Sequence, residues 1–352
     1  MAAATANTPM ARPPPPGFPP ASANPLMARP PPPGFTASPN QMLRRVAAAP
    51  QEMVRASPPA STELRLSDLE RIGRLGMGGF ATVTKVRHRR TGAVFALRES
   101  FNPDTDAEEE AEALRRAAGS PHVVRCHAVL RGAGGEPACV LELMDAGSLE
   151  TVIIRRGGRG LLEPAVAEAA ARCLAGLAHL HSRGVAHLDV KPDNLLANSR
   201  GDVKIADFNA SRVLYDADGE PQLVCVAIGT VEYFCPERFA HDAYAPPSGA
   251  MAADVWSLGV TVLQLSGWRR IVPASEAPTF EELKQAICHG EPPSVPDDAE
   301  ASSELRAFVA ACMQKEPWRR ATVAQLLAHP FIKRRDVEAS TRALRELIME
   351  TL

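Results

Sequence analysis

The residues best suited to chemistry lie in two short stretches near the middle of the chain. Asp189 is followed five residues later by Asn194, and Asp207 comes directly after the mostly apolar run 203–206. Phosphoryl transfer needs a carboxylate that accepts the proton of the attacking hydroxyl, and a carboxylate and an amide that hold Mg²⁺ on the phosphates. Asp189, Asp207 and Asn194 are side chains of these types. We therefore predict that the three converge on one metal–triphosphate.

A glycine-rich segment upstream could approach the same phosphates. It begins at Leu75 and Gly76, continues through Gly78, and reaches Val83 between two predicted strands. Glycines let the backbone come close to a polyphosphate, and the strand–loop–strand context differs from the strand-to-helix turn of a dinucleotide-binding fold. The segment alone is a weak sign, because glycine-rich hairpins are common.

A small residue and a cation follow on the next predicted strand. Ala96 precedes Arg98 by two positions within the run 94–98. Alternate residues of a strand face the same side. The pair would therefore supply a pocket wall and a phosphate contact on one face.

The elements that must position these residues change character along the chain. Short alternating or β-branched runs at 72–75, 81–87, 94–98, 124–130 and 138–143 predict strands, with one helix over 107–118. Beyond residue 145 the pattern is helical, for example at 164–183, 254–265, 280–289 and 303–314. We predict an α+β fold, with a small β-rich N-lobe over 66–144 and a larger helical C-lobe over 145–333.

The two ends differ from this central part. Sixteen of the 32 prolines lie before residue 61, and residues 10–18 return unchanged as 27–35. Few apolar side chains and an extended polyproline bias predict a disordered tail over 1–62. The repeat is either a duplication without a task or, over residues 10–35, a ligand for a proline-binding module. Residues 334–352 predict an amphipathic helix that covers the helical lobe or binds a partner.

Composition excludes several classes of protein. Lys and Arg (39) nearly balance Asp and Glu (41), so the charge gives no reason to expect nucleic acid or a lipid surface as a partner. The seven cysteines include no Cys-x-x-Cys pair, which favours a reducing compartment. No apolar run approaches the roughly 20 residues of a membrane helix. We expect a cytoplasmic protein, with the nucleus as a second compartment.

Further motifs carry a family resemblance. From about residue 66 to 333 the chain resembles a eukaryotic protein kinase, and it is most similar to plant mitogen-activated protein kinase kinases. The motifs that continue the pattern are Gly229-Thr230 through Pro236-Glu237-Arg238, Asp254-Val-Trp256-Ser-Leu-Gly259, and Pro317 through Arg320 leading to His329-Pro-Phe331. The resemblance implies a two-lobed kinase fold, ATP and Mg²⁺ as cofactors, and a mitogen-activated protein kinase as the substrate.

The resemblance also implies roles at the phosphates. Asp189 matches the catalytic base, Lys191 the lysine that contacts the γ-phosphate, and Asn194 and Asp207 the metal ligands. Glu110 is the better match for the helix glutamate that pairs with the strand cation. Glu112 is the alternative register.

A second group of matches concerns the nucleotide and the substrate loop. Glu142 to Met144 resembles the hinge that binds adenine through its backbone, with Leu141 at the gatekeeper position. Val83 and Ala96 would line the adenine site, next to Leu75, Gly76 and Gly78 of the glycine-rich loop. Glu237 and Arg320 match the pair that locks the substrate-side loop to the helical lobe.

Four positions depart from the family pattern. Arg98 stands for the strand lysine, Ala81 for the third loop glycine, Asn209 for the glycine after Phe208, and Leu188 for the arginine that receives a phosphorylated loop. Residues 212–229 also contain no Ser or Thr. The arginine and the phosphorylated hydroxyl that it would bind are therefore both missing.

Two functions remain open at this stage. The chain is either a protein kinase of the mitogen-activated protein kinase kinase type, weakened by Arg98, Leu188 and Asn209, or an impaired pseudokinase that serves the same cascade as a binding module or scaffold. Lys191 favours Ser and Thr as acceptors, and the family resemblance favours Thr and Tyr.

Overall fold

The N-terminal lobe is an antiparallel sheet built from strands that the sequence predicts with small shifts. The computed structural model describes residues 64–77, 81–101, 107–132, 135–240, 243–268 and 278–352. The predicted tail over 1–62 and its repeat therefore lie outside the described residues. The sheet order is β1-β2-β3-β5-β4, and its strands are β1 Leu69–Met77, β2 Ala81–His88, β3 Val94–Ser100, β4 Cys126–Arg131 and β5 Pro137–Leu141.

The sheet encloses a small apolar core, and one helix contacts it. Val86, Leu97 and Val140 are buried on one face. Strand register sets Ala96 opposite Leu141 and Val83 opposite Arg98, so the predicted pocket wall and the cation share a short stretch of sheet. Helix α1 (Ala107–Arg116) contacts β4, and its Ala113 and Leu114 are buried in the core of the helical lobe.

The second lobe is mostly helical and holds the larger core. Its buried centre includes Leu174, Trp256 and Phe308. The helices are α2 Leu149–Arg155, α3 Glu163–Ser182, α4 Pro247–Leu265, α5 Phe280–His289, α6 Ser303–Cys312, α7 Val323–Leu327, α8 Pro330–Lys333 and α9 Val337–Met349. In the part of the chain described here, no helix is both long and apolar enough to cross a membrane.

Helix α4 begins seven residues before the stretch singled out from the sequence. It starts at Pro247, whereas the predicted helix starts at residue 254. Proline fits the first turn of a helix, where its missing N–H has no helical partner to lose. The weak helix formers Ser248 and Gly249 hide this first turn in the sequence.

Short strands of the helical lobe carry the loops that matter for function. They are β6 Gly147–Ser148, β7 Val185–Ala186, β8 Leu195–Ala197, β9 Val203–Ile205, β10 Arg212–Val213, β11 Val224–Cys225 and β12 Tyr244–Ala245. β8 and β9 form an antiparallel hairpin with β6 at its side, β10 pairs with β7, and β11 pairs with β12. Single 3-10 turns at Pro192–Asn194 and Pro236–Phe239 complete the loops.

The C-terminal helix packs against the lobe. Asp336 caps α9 through the amide of Ala339, and α9 contacts α3. Leu344, Leu347 and Ile348 are buried at this contact. Of the two alternatives that the sequence leaves open, the structure thus shows the covering helix.

Candidate active site

Asp189 lies at the centre of a compact polar network. Its Oδ1 accepts a hydrogen bond of 2.8 Å from the amide of Thr230, and its Oδ2 lies 2.9 Å from Lys191 Nζ. Asn194 Nδ2 donates to the same Oδ2 at 2.9 Å and to the Asp189 carbonyl at 2.8 Å. Lys191 Nζ also donates to Thr230 Oγ1 at 2.5 Å. The carboxylate is therefore fixed in direction by three residues from two segments.

The same contacts keep Asp189 ionised. Burial alone would raise the pKa of its carboxyl. The charge and hydrogen bond of Lys191 and the hydrogen bond from Thr230 outweigh this effect, and the pKa of Asp189 lies below its ordinary value. Asp189 is thus available as a proton acceptor at neutral pH.

Asp254, fully buried on α4, holds the backbone that carries Asp189. Its carboxylate accepts from the amides of His187 at 2.9 Å and Leu188 at 2.7 Å, and from His181 Nε2 at 2.9 Å. Leu188 takes a φ of +61°, a conformation that non-glycine residues rarely adopt. Asp254 stabilises this turn by binding both amides.

His187 acts as a packing residue at the back of the loop. Its ring packs edge-on against Phe208, with 5.3 Å between ring centroids. Nε2 donates to the carbonyl of Ala206 at 3.0 Å, and Nδ1 accepts from the amide of Asp189. His187 therefore links the loop of Asp189 to the segment that carries Asp207.

The hairpin of β8 and β9 brings Asn194 and Asp207 to the same end. Leu195 at the start of β8 pairs with Ile205 at the end of β9, and the Ala206 amide donates to the Asn194 carbonyl at 2.9 Å. Because Asn194 Nδ2 binds Asp189, its Oδ1 is the atom left to reach a cation. Asp207 lies two residues after the end of β9, and its side chain is 46% exposed.

This donor set fits Mg²⁺. Magnesium usually keeps several water ligands and binds through one or two protein side chains together with substrate phosphates. Within the described ranges, no cluster of three or more His, Cys, Asp or Glu side chains is arranged as a metal cage. An amide oxygen and one accessible carboxylate are what a metal–nucleotide complex requires.

Arg98 connects the sheet, helix α1 and Asp207. Its Nη1 lies 2.9 Å from Glu110 Oε1, and its Nη2 lies 3.6 Å from Asp207 Oδ1. Arg98 and Glu110 are both buried. Glu112 instead pairs with Arg115 and Arg116 on the helix surface, so the structure selects the Glu110 register.

Burial and charge act against each other at Glu110. Burial raises the pKa of Glu110, and the nearby Asp207 raises it further, whereas Arg98 lowers it. The net pKa lies above the ordinary value of a glutamate. The Arg98 guanidinium therefore contacts two carboxylates, those of Glu110 and Asp207, at the same time.

This double contact predicts the effect of Arg98→Lys, which we expect to raise the rate of phosphoryl transfer. An ammonium is a compact donor that can serve Glu110 and a phosphate together, whereas the guanidinium has a planar fork of fixed direction. A tenfold gain would correspond to a barrier lower by about 1.4 kcal/mol. The measurement is the initial rate of transfer from labelled ATP, with Arg98→Met as the variant that lacks the charge. A slower Arg98→Lys enzyme would contradict the argument.

The residues proposed for adenine lie around a small apolar cluster between the lobes. Val124, Met144 and Ala206 are buried together, and Leu141 and Leu196 pack against them. The amide of Glu142 is bonded to the carbonyl of Arg125. Among the described residues, the amide of Met144 has no acceptor, so this donor is unused within the protein.

The remaining nucleotide-site predictions fall on the sheet and on the glycine-rich loop. Ala96 is buried and Val83 half-buried, while Leu75 is exposed at the edge of β1. Gly76 pairs with Val83 where β1 meets β2. Gly78 lies outside the described residues.

Segment 212–229 is held by backbone pairing and by helix α1. β10 pairs with β7, a bridge joins Tyr215 to Pro221, and β11 pairs with β12. Glu109 accepts from the amide of Val213 at 3.2 Å and lies 3.6 Å from Arg212 Nε. The segment is thus attached at both ends without any Ser or Thr of its own.

Glu237 and Arg320 form the ion pair that the sequence predicts. Both guanidinium Nη atoms donate to the two carboxylate oxygens, at 2.6 and 2.7 Å. Arg320 is buried and lies over the ring of Trp256, 5.1 Å from its centroid. The pair fixes the 3-10 turn Pro236–Phe239 to the helical lobe.

Sequence reasoning missed three residues that support this site. Glu109 holds the start of segment 212–229, and Lys204 donates to both carboxylate oxygens of the hinge residue Glu142, at 2.8 and 2.7 Å. Arg238 is buried and donates to the Leu188 carbonyl in the catalytic loop, residues 187–194. Only Arg238 carried a signal, because it directly follows the predicted ion-pair residue Glu237.

Comparison with known proteins agrees with this geometry. The protein kinase domain matches residues 69–332. Mitogen-activated protein kinase kinase 9 of Arabidopsis thaliana is 39% identical over 274 residues, covering 76% of this chain and 84% of the relative. Kinase kinase 7 of the same plant is 38% identical over 286 residues, covering 79% and 89%.

A more distant relative extends the match beyond plants. The dual specificity mitogen-activated protein kinase kinase dSOR1 of Drosophila melanogaster is 32% identical over 304 residues, covering 78% of this chain and 73% of the relative. With the two-lobed fold and the arrangement of Asp189, Asn194 and Asp207, these matches identify the chain as a protein kinase that belongs to the mitogen-activated protein kinase kinase family.

Proposed function

We propose that this kinase transfers the γ-phosphate of ATP to a hydroxyl of a mitogen-activated protein kinase. The observation that carries the proposal is the polar network of Asp189, Lys191, Asn194 and Thr230 beside the accessible carboxylate of Asp207. Protein kinases as a family use ATP and Mg²⁺. Asn194 and Asp207 would hold the metal, which neutralises charge on the phosphates.

The residues divide the reaction into proton removal and charge stabilisation. Asp189 accepts the proton of the substrate hydroxyl. The hydroxyl oxygen bonds to the γ-phosphorus while the bond between that phosphorus and the ADP oxygen breaks. Lys191, 2.9 Å from Asp189, is within reach of the transferred phosphoryl group. Arg98, positioned by Glu110, would contact the nucleotide phosphates.

The hinge would select the nucleotide. The amide of Met144 would donate to adenine, and Ala96, Val83, Leu141 and Leu196 would supply apolar walls. This arrangement combines apolar contact with one or two directed hydrogen bonds, as small-molecule sites commonly do.

We propose Ser, Thr and Tyr hydroxyls as acceptors on the substrate protein. The support for Ser and Thr is Lys191 next to the base. The support for Tyr is the Drosophila relative, whose name describes a dual specificity enzyme. A kinase-inactive mitogen-activated protein kinase, analysed by mass spectrometry after the reaction, would show which hydroxyls receive phosphate.

The activity should not depend on Ser or Thr phosphate within segment 212–229. The segment lacks Ser and Thr, and backbone pairing and Glu109 hold it in place. We therefore expect protein treated with a Ser/Thr phosphatase, and then freed of the phosphatase, to keep its full rate. A loss of most of the activity would show that a phosphorylated residue elsewhere controls the enzyme.

The test of the proposed function is direct. Purified protein is incubated with ATP, Mg²⁺ and a kinase-inactive mitogen-activated protein kinase, and phosphate incorporation is measured over time. We expect incorporation that stops when a chelator removes the metal and returns when Mg²⁺ is added in excess. Preserved incorporation in the chelator would argue against the metal site at Asn194 and Asp207.

A further inference from the structure

Arg238 lies between the catalytic loop and the end of segment 212–229 and contacts both. Arg238 is 2% exposed and lies in the 3-10 turn Pro236–Phe239. Nε donates to the Val226 carbonyl at 2.6 Å, and Nη2 donates to the carbonyls of Leu188 at 3.0 Å and of Ile228. One guanidinium therefore joins the residue before Asp189 to the end of segment 212–229.

The chain comes unusually close to itself at this point. Gly229 has a φ of +105°, and a Cβ at this position would lie 2.7 Å from the Leu188 carbonyl oxygen and 3.2 Å from Arg238 Nη2. The next residue, Thr230, donates its amide to Asp189. Arg238 thus fixes the backbone immediately before the residue that orients the base.

The guanidinium of Arg238 is buried with one aromatic ring beside it and, within the described part of the chain, one nitrogen unpaired. Arg238 Nη1 is buried and has no partner among the described residues. Burying an arginine with an unused donor is costly unless other contacts compensate. The guanidinium carbon lies 3.8 Å from the centroid of the Phe234 ring, which supplies a cation–π contact.

The neighbouring position 188 explains why this contact matters here. Leu188 is fully buried and offers only its backbone, whose amide binds Asp254 and whose carbonyl binds Arg238. A side chain that could bind a phosphorylated loop is therefore missing at this position. The guanidinium of Arg238 instead connects segment 212–229 to the catalytic loop.

We propose that Arg238 is a positioning residue for protein-substrate phosphorylation, which holds residues 226–230 against the catalytic loop without any phosphate on the segment. The proposal rests on the kinase function proposed above. Arg238 acts through Gly229 and Thr230 on Asp189 and touches neither the hinge nor the Arg98–Glu110 pair. Its loss should therefore impair the use of the protein substrate and leave nucleotide binding unchanged.

The main variant is Arg238→Met, which keeps the aliphatic stem and removes all donors. We expect its KM for the protein substrate to rise about tenfold or more and its kcat to fall, because misplaced reacting groups lose rate steeply. Its Kd for ATP should stay within about twofold of wild type, since no described contact joins Arg238 to the nucleotide site. Arg238→Lys should recover part of the lost activity by restoring a donor to the carbonyls.

Arg306→Met is the matched control. Arg306 also donates to backbone carbonyls, those of Val295, Pro296, Asp297 and Ala299, but it lies on α6 far along the chain from the catalytic loop. It loses the same kind of contact on substitution. We expect it to lower stability without changing the KM for the protein substrate.

Limited proteolysis supplies a measurement that does not depend on catalysis. Leu223, next to β11, is 69% exposed, so chymotrypsin, which cleaves after large apolar residues, can reach it, and mass spectrometry follows the cut at this bond. Arg238→Met should be cleaved there about tenfold faster than wild type and than Arg306→Met, at a temperature where all three are folded.

The outcomes separate the two proposals. Faster cleavage with a raised KM and an unchanged ATP affinity supports the positioning role. Equal cleavage rates, or an ATP affinity that falls as much as the KM rises, would overturn it. If the wild type transfers no phosphate at all, the proposed function fails, while the cleavage comparison still decides whether Arg238 holds the segment.

Discussion

Replacing Asp189 with alanine should reduce phosphoryl transfer to the protein substrate by about a thousandfold, within the range of 10²–10⁴ typical of a lost general base. The structure gives the reason. Thr230, Lys191 and Asn194 orient this carboxylate and keep its pKa below the ordinary value, so it is ionised and aimed when the hydroxyl arrives. Alanine removes the acceptor and leaves the three donors pointing at an empty position.

The variant must be shown to be folded and to bind nucleotide. ATP affinity should change by no more than about threefold, because Asp189 contacts the catalytic loop and not the hinge. Asp298→Ala, an exposed carboxylate between α5 and α6, serves as the control and should keep the wild-type rate. A rate for Asp189→Ala within a few-fold of wild type would remove Asp189 from the mechanism.

Replacing Asp254 with alanine should destabilise the protein by about 3–5 kcal/mol, the cost of removing one partner from a buried charged network. Asp254 is fully buried, and its loss leaves the amides of His187 and Leu188 and the ring of His181 without their acceptor. Leu188 would also lose the contact that stabilises its positive φ. The measurement is the free energy of unfolding in urea.

The contribution of Asp254 depends on pH in a direction fixed by its environment. Burial alone would raise the pKa of Asp254, but the hydrogen bonds from His181 and from the His187 amide help to bring it below the ordinary value. Because the pKa is lower in the folded state, the stabilisation is present above the unfolded value of about 3.9 and is lost as the pH falls through the folded value. Between pH 5 and 8 the difference between wild type and variant should therefore include the full contribution of this carboxylate.

Asp298→Ala again provides the comparison, since an exposed carboxylate without a buried partner should change stability by less than about 0.5 kcal/mol. A loss for Asp254→Ala as small as this would show that water replaces the carboxylate without cost. The loop of Asp189 would then have to be held by other contacts.

The sequence predicts the chemistry of the site well because its parts are local. Asp189 and Asn194 belong to one loop, and the hairpin of β8 and β9 carries Asn194 to Asp207 with only a few residues between them. The alternation of β3 likewise places Ala96 and Arg98 on one face. Short-range periodicity and spacing contain this information.

The contacts that hold the site together join residues that are far apart in the sequence. They could not be predicted from local spacing. Asp254 binds residues about 66 positions before it, Glu109 reaches Val213, and Lys204 reaches Glu142. Each of these is an ordinary charged residue in its local sequence. Only the packing of the helices against the loops decides which charges become buried.

The contacts of Arg238 were likewise not predictable from the sequence. Its neighbours Pro236 and Glu237 mark it as part of a recognisable motif, but its three carbonyl partners come from the catalytic loop and from the end of segment 212–229. The missing hydroxyls of this segment and the apolar Leu188 are visible in the sequence. The contact that holds the segment in their absence is visible only in the fold.

The central claim is that Asp189, Asn194 and Asp207 act on one metal–nucleotide complex, and transfer of radiolabelled γ-phosphate tests it most directly. Wild type and Asp207→Asn, purified free of other kinases, are compared on a kinase-inactive mitogen-activated protein kinase over a range of Mg²⁺ concentrations. We predict steady labelling by wild type and none above background by Asp207→Asn at any concentration. Labelling by Asp207→Asn as fast as by wild type, or no labelling by wild type, would contradict it.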